Sequence, residues 1–233
     1  MTGEGASAGA DNGEVLAATM RETRETLDRW GQRKARVLGD WTFKSLCIAL
    51  SMLLAVYIVS LLAKPIDTPA LPNILGEPHA ADVLLVFMRN MLLLALCAGL
   101  TGMRLAVEGQ YKSGANRWVH EHAGPAAMVF VSGATIFSMT TQTWILGHQV
   151  ADLAYTLDLP QSTLMLTVLP HAVLELTAVF LPLAAFLTAS RDGDWHELLA
   201  ATIVTVSVAI PMIIVAAVLE AYLWPQTLQA VIF

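Results

Sequence analysis

Long apolar runs separated by short polar breaks dominate the chain from residue 44 onwards. A helix needs about 20 consecutive apolar residues to cross a hydrocarbon layer roughly 30 Å thick. Five runs reach this length, and none alternates apolar and polar residues as a membrane barrel strand would. The predicted spans are 44–63, 83–103, 125–146, 170–189 and 198–224. The pattern therefore predicts an all-α, polytopic membrane helix bundle with five transmembrane helices, which together form one domain over residues 44–225.

The residues before the first span follow a different pattern. Residues 1–13 are rich in Gly and Ala and offer no apolar anchor, which predicts a disordered tail. Over 14–41, apolar residues recur every three or four positions with charged residues between them, which predicts an amphipathic cytoplasmic helix. The residues expected to contact a surface are Leu27, Trp30, Arg33 and Lys34. Three interpretations stay open: the helix lies on the anionic inner leaflet, docks a second subunit, or packs under its own bundle.

The composition agrees with a membrane protein and limits its partners. With 56% hydrophobic and only 14% charged residues, the chain departs from the roughly 25% charged content of an ordinary soluble domain. The formal net charge is −6, and the acidic residues are spread along the chain rather than the basic ones being in excess. This distribution gives no support to a nucleic-acid partner. Cys47 and Cys97 both fall within predicted spans, so we expect packing residues rather than a disulfide.

The distribution of Lys and Arg predicts the orientation in the membrane. These residues cluster between 21 and 44, recur in the loop 104–117 and appear again at Arg191, whereas the loops 64–82 and 148–161 are mainly acidic. Basic flanks are retained on the cytoplasmic side of a membrane. The sequence therefore predicts a cytoplasmic N-terminus and, after five spans, an extracytoplasmic C-terminus.

Four ionisable side chains interrupt the apolar runs: Arg89, His171, Glu175 and Glu220. A charge near the centre of a span costs at least about 2.5–3.5 kcal/mol, so such groups usually face other helices and find partners. Counting from the span ends at about 1.5 Å per residue places Arg89, Glu175 and Glu220 at one level. His171 and Glu175 are four residues apart and share a helix face. This depth also implies that 160–169 forms a short outer-leaflet or re-entrant piece.

Two interpretations of this intramembrane polar cluster remain open. In the structural one, Arg89 bridges the two carboxylates and fixes the register of the helices, while His171 caps the cluster at the interface. In the functional one, the cluster binds a ligand, a proton or a metal. A metal is not favoured because no Cys or second His shares that level. The His-Glu-x-x-His spacing of metalloproteases is absent, and so are the phosphate loop and the dinucleotide fingerprint. The sequence therefore predicts no catalytic residue, no metal and no cofactor.

Three segments resemble the stage II sporulation protein M family of bacterial and archaeal membrane proteins. "LPHAVLELTAVFLPLAAFL" is similar to the family's His-Gly-x-x-Glu signature, "AAVLEAYLWP" to its closing stretch and "FMRNMLLLAL" to its second-span pattern. The residues that the resemblance assigns to the family motif are Asn90, Pro170, His171, Glu175 and Glu220. The chain departs from the pattern at Ala172, where the family usually has Gly, so the local packing need not be the family's. The resemblance covers about residues 44–225.

The resemblance implies a non-enzymatic integral component of a bacterial or archaeal cell membrane. In endospore formers, the named member is a scaffold that holds peptidoglycan-degrading proteins at the septal membrane. Other members occur beside genes for ATPases or for exporters. The first hypothesis is therefore a membrane scaffold or assembly subunit, and the alternative is a permease-type subunit of an exporter that works with a separate ATPase. The expected partners are the lipid bilayer and other membrane or membrane-associated proteins, such as a wall hydrolase or an ATPase, and a homo-oligomer remains open.

Overall fold

The computed structural model describes residues 20–21, 23–66, 80–81, 83–88, 90–91, 94, 117–192 and 197–233. Every regular element in these residues is helical, which confirms the all-α prediction for them. Their α-helices are α1 (Lys34–Leu62), α2 (Arg117–Thr156), α3 (Gln161–Asp192), α4 (Glu197–Val218) and α5 (Trp224–Ile232). A 3₁₀ turn at Gly31–Arg33 precedes α1, and a π-helical turn at Leu219–Leu223 joins α4 to α5. The described residues of the 20–30 and 80–94 segments are also helical.

Three helical stretches among these residues are long and apolar enough to cross a membrane. They are Ala35–Leu62, Gln161–Thr188 and Ala200–Ile232, which correspond to the first, fourth and fifth predicted spans. The predicted span 83–103 falls largely outside the described residues. The predicted span 125–146 falls within α2, whose side chains are described mainly from 136 onwards. The membrane-helix character is therefore confirmed, while the number of five spans stays a prediction.

The helix boundaries differ from the predicted ones at two places. The break between the amphipathic segment and the first span lies at Gly31, whose backbone is left-handed (φ +37°), a conformation that glycine adopts readily. From Lys34 onwards α1 is continuous. The prediction of a re-entrant piece at 160–169 was wrong, because α3 runs without interruption from Gln161. The proline at position 170 removes one backbone hydrogen bond but does not end the helix. Residues 1–13 lie outside the described part of the chain.

The central helix of the bundle is α3. It packs extensively against α1 on one side and α4 on the other, and α2 packs against α1. The buried residues of the central cluster are Ala49, Met52, Leu94, Ala178, Val179, Phe180, Ala209 and Ile213. A buried hydrogen bond of 2.6 Å from Ser45 Oγ to the carbonyl of Thr177 ties α1 to α3. Polar side chains on α3 are therefore held between neighbouring helices.

The bundle has two ends of different construction. At the N-terminal end, the 20–30 segment, α1, α3 and α4 meet in a cluster whose buried members are Trp30, Trp41, Leu181, Ala185, Ala200 and Ala201. The rings of Trp30 and Trp41 pack edge to face with centres 5.4 Å apart. At the distal end, α2, α3 and α5 meet through Ala154, Leu164 and Leu228. Because α4 packs on α3 at the N-terminal end and leads into α5 at the distal end, α3 and α4 run antiparallel.

The apolar face of the 20–30 segment is turned toward the bundle. Trp30 is only 8% exposed, and Leu27 packs against the same cluster. Arg33 is exposed, and the side chain of Lys34 lies outside the described residues. This geometry is that of a segment packed against its own bundle, while contact with a membrane surface or with a second subunit stays a prediction.

Candidate functional site

His171 lies in α3 near the distal end and is buried, with 7% of its surface exposed. The centre of its ring is 6.0 Å from that of Trp224, the first residue of α5, and the planes are inclined by 58°. Trp224 Nε1 donates a hydrogen bond of 3.2 Å to Thr167 Oγ1, one turn before His171 on α3. Pro170, which lies between Thr167 and His171 in the chain, is exposed. The indole of Trp224 is therefore held against α3 by both an imidazole and a hydroxyl group.

The two carboxylates of the predicted cluster lie one turn deeper in the bundle. Glu175 follows His171 by four residues on α3, and Glu220 precedes Trp224 by four residues on the facing helix. Because the helices are antiparallel and the His171–Trp224 contact pairs them, both carboxylates lie at one level, roughly 6 Å from that contact. Both side chains are half-buried. Arg89, their predicted partner, lies outside the described residues, so the complete cluster stays a prediction.

A π-helical turn, Leu219–Leu223, contains Glu220. Pro225 follows this turn and has no N–H group to donate to the carbonyl of Ala221, which disfavours a regular α-helical turn at this point. The N–H of Trp224 donates a hydrogen bond to the carbonyl of Leu219, five residues back, rather than to the carbonyl four residues back as in an α-helix. Such turns add one residue to a helical turn and are frequent at functional sites. Here the added residue sets the angular position of Glu220 relative to Trp224.

Asn90 is fully buried, and within the described part of the chain neither atom of its side-chain amide has a hydrogen-bond partner. It shares a helix face with Phe87, Met91 and Leu94, which pack into the central cluster. Burying an amide without a partner costs roughly 1–3 kcal/mol on protein mutational scales. The sequence singled out Asn90 only through the family resemblance. Among the motif residues, Asn90 is the one whose side-chain type is least explained by the packing of the bundle.

The arrangement of the two carboxylates suits charge pairing or proton binding. A charged carboxylate among apolar helices is costly unless it has a polar or charged partner, so both residues are candidates for pairing or for binding a ligand. In the described residues, no group of three or more His, Cys, Asp and Glu side chains is placed to hold a metal ion. Either use depends on both carboxylates, so paired substitutions at Glu175 and Glu220 test it.

Sequence reasoning missed two residues of this site, Thr167 and Trp224. A signal for Trp224 was present, because Glu220 and Trp224 are four residues apart just as His171 and Glu175 are. Two facing helices therefore each carry a pair of residues on one face. Thr167 gave no such signal, since a threonine within an apolar helix commonly bonds a carbonyl of its own helix, as Thr167 also does.

Comparison with known families identifies the family of the chain. The family model described as Stage II sporulation protein M matches residues 44–225. Comparisons with curated proteins and with solved structures find no match. The matched range includes the His171–Trp224 contact and both carboxylates, and it covers most of the 233 residues. The chain therefore belongs to the stage II sporulation protein M family.

Proposed function

We propose that the protein is a non-enzymatic scaffold or assembly subunit of a larger membrane complex. The observation that carries this proposal is the structural use of the family motif: His171 packs on Trp224, and Trp224 is hydrogen-bonded to Thr167. These contacts fasten α3 to α5 at the distal end. A motif that fixes the shape of one end of the bundle suits a protein that presents this end to partners.

The interior between the two ends supports the same proposal. There α3 and α4 contribute fully buried apolar side chains: Ala178, Leu181, Ala209 and Ile213. Passage of a solute needs polar groups or space along its route. Close packing of these four side chains leaves little space for a solute between α3 and α4 at this level.

We further propose that the protein lies in a bacterial or archaeal cell membrane with its N-terminus in the cytoplasm and its C-terminus outside. Support comes from the exposed basic residues at the start of α1, such as Arg36, and from the exposed Asp158 between α2 and α3. In a Cys47→Ser, Cys97→Ser background, an impermeant thiol reagent on intact cells should label a cysteine at position 158. Labelling of a cysteine at position 36 would contradict this orientation.

The proposed partners are the lipid bilayer and other membrane or membrane-associated proteins, with a wall hydrolase as the expected class for a scaffold and a second copy of the chain as a further partner. Affinity purification of the full chain in mild detergent, followed by identification of the co-purified proteins, tests this proposal. Recovery of a wall hydrolase or another extracytoplasmic protein is expected. Recovery of a soluble ATPase alone would favour the permease.

The alternative, a permease-type subunit of an exporter with a separate ATPase, is favoured by the two half-buried carboxylates at one level. The double variant Glu175→Gln, Glu220→Gln separates the two functions, with Asp158→Asn as a matched control at an exposed acidic residue. If the protein is a scaffold, the folded double variant should keep both its partner proteins and its activity in the cell. Loss of cellular activity in a folded variant that retains its partner proteins would support the permease instead.

A further inference from the structure

Within the described residues, α2 lies at the edge of the bundle and packs mainly against α1. Its contacting residues include Met139, which packs against the central cluster, and Gly147, where an added Cβ atom would meet the side chain of Val59. These two residues share a face, since residues four and eight positions apart stack along a helix. The face turned away from α1, called here the outer face of α2, carries exposed residues: Ser138, Thr141, Gln142, Ile145 and Gln149.

The contacts of α2 place Gln142 level with the middle of α1. Met139 meets the central cluster, to which α1 contributes Met52, and Gly147 lies beside Val59. Gln142 lies between these two contacts along the axis of α2. At this level α1 is uncharged for at least about 12 Å in either direction, as expected near the centre of a membrane span. Gln142 is therefore exposed at the depth of the hydrocarbon layer that α1 is long enough to cross.

The side-chain amide of Gln142 has no hydrogen-bond partner among the described residues. The hydroxyl group of a Ser or Thr in a helix can donate to a carbonyl of its own helix, as Thr140 does to Ile136 at 2.8 Å. An amide with two N–H donors and a carbonyl acceptor is not satisfied in this way. Hydrocarbon offers no water to bond it either, so the amide is costly to expose there. The outer face of α2 therefore needs a polar partner at this depth.

A second copy of the chain supplies complementary groups. A carboxamide both donates and accepts, so two Gln142 side chains that meet across a twofold axis satisfy each other with two hydrogen bonds. No ionisable residue occurs from 136 to 147, so the face complements a neutral partner rather than a charged one. Exposed positions of this face also alternate by four and three residues, the spacing of helices that pack along each other: Ser138, Gln142, Ile145 and Gln149.

We propose that two copies of the chain pack through the outer faces of their α2 helices, with Gln142 bonded to Gln142 of the partner subunit. The twofold axis runs along the membrane normal, because the two amides meet at one depth. Both distal ends then face the same side of the membrane. This inference rests on the proposed membrane location and on the second copy proposed above as a partner, and it names the surface that joins the two copies.

Disulfide formation in native membranes tests which faces of α2 meet. In a Cys47→Ser, Cys97→Ser background, Ser138→Cys and Ile145→Cys should each give a disulfide-linked dimer on mild oxidation, because a disulfide needs Cβ atoms about 4 Å apart. Phe137→Cys is the matched control, since Phe137 is 74% exposed and adjoins Ser138 but lies on another face. We expect this control to stay monomeric.

Dissociation of the dimer in lipid gives a second readout that needs no cysteine. Energy transfer between labelled copies is measured in vesicles as the lipid-to-protein ratio rises. Gln142→Leu keeps a side chain of similar size but removes the amide, so the dissociation constant should rise about tenfold, the effect of one or two polar contacts between membrane helices. Gln229→Leu, which removes an exposed glutamine from α5, is the matched control and should leave the constant unchanged. Gln142→Asn keeps an amide and should recover part of the loss.

Equal disulfide yields at positions 137 and 138 would overturn the proposal, because the copies would then collide without a defined interface. Cross-linking of position 145 to another protein, or within one chain, would assign the outer face of α2 to that occupant instead. A dissociation constant that Gln142→Leu leaves unchanged would place the contact between copies elsewhere and keep the second copy as a partner. A monomer at every lipid ratio would remove the second copy as well. Unchanged recovery of the other partner proteins would leave the scaffold proposal intact, so these failures are distinguishable.

Discussion

At the N-terminal end of the bundle, tryptophan, leucine and alanine side chains form the buried cluster and arginines lie on the exterior, whereas at the distal end a side-chain hydrogen bond and an imidazole take part in the contact between α3 and α5. The Trp30–Trp41 contact is purely a ring packing. The Trp224 contact adds a hydrogen bond to Thr167 and an imidazole neighbour. Apolar packing is not directional, so many side chains could supply it, while a hydrogen bond fixes one arrangement.

The two ends therefore differ in what holds the helices together: polar contacts fix the helix arrangement at the distal end, and burial of apolar surface stabilises the N-terminal end. The distal end carries the motif residues His171, Glu175 and Glu220 together with the hydrogen bond from Trp224 to Thr167, which depends on particular atoms. The N-terminal end depends on buried area, which tolerates substitution as long as volume is conserved. We therefore expect substitutions at the distal end to change the alignment of the helices, and substitutions at the N-terminal end to change how firmly the 20–30 segment is attached.

The largest expected effect is at the distal carboxylates. If Arg89 holds Glu175, then Glu175→Gln leaves a buried guanidinium without its partner, and breaking a buried pair in this way costs about 3–5 kcal/mol. The double variant Arg89→Met, Glu175→Leu removes both charges and should recover stability. Thermal unfolding in detergent measures the coupling, and the same cycle with Glu220→Gln tests the rival partner. Zero coupling for both carboxylates would remove Arg89 from the site.

The second prediction concerns attachment of the 20–30 segment. Trp30→Ala removes a ring that is 8% exposed, and truncation of a buried Trp costs about 3–5 kcal/mol. We expect the segment to detach, so that tryptic cleavage after Arg24 accelerates at least about a hundredfold. The matched control is Met20→Ala, because Met20 is 67% exposed. An unchanged cleavage rate in Trp30→Ala would show that other contacts hold the segment.

The third prediction concerns the approach of α2 to α1. A Cβ atom added at Gly147 would lie 2.6 Å from Val59 Cβ and 3.1 Å from the carbonyl oxygen of Val56. Gly147→Ala should therefore lower the free energy of unfolding by about 1–3 kcal/mol through overpacking, and Val59→Ala should partly rescue it. Gly133→Ala on the same helix meets no atom within 4 Å and should be neutral or slightly stabilising. Equal stability of the two alanine variants would mean that the helices separate at little cost.

The smallest effect is expected for the hydrogen bond at the distal end. Trp224→Phe keeps an aromatic ring near His171 but removes the N–H that Thr167 accepts, which costs about 0.5–1.5 kcal/mol. A double-mutant cycle with Thr167→Val isolates this bond. We expect a coupling energy of about 1 kcal/mol in thermal unfolding. Additive effects of the two substitutions would show that ring packing alone joins α5 to α3.

The amino-acid pattern was sufficient for several features of the protein. Its apolar runs predicted membrane helices that the structure contains, because length and hydropathy are local properties of the chain. The rare ionisable residues were equally visible, since a charge in an apolar run is conspicuous without any knowledge of its neighbours. The motif segments around His171 and Glu220 indicated the family that the comparison confirms.

Other features depended on contacts between residues distant in the chain. Trp224 meets Thr167 and His171 because α4 and α3 are antiparallel and α5 follows α4 through the π-helical turn. Periodicity gives the face of a helix but not the partner of that face. The same limit applies to the 20–30 segment. Its amphipathic pattern fitted a membrane surface, a second subunit or its own bundle equally well, and the contact of Trp30 with Trp41 became visible only in the tertiary structure.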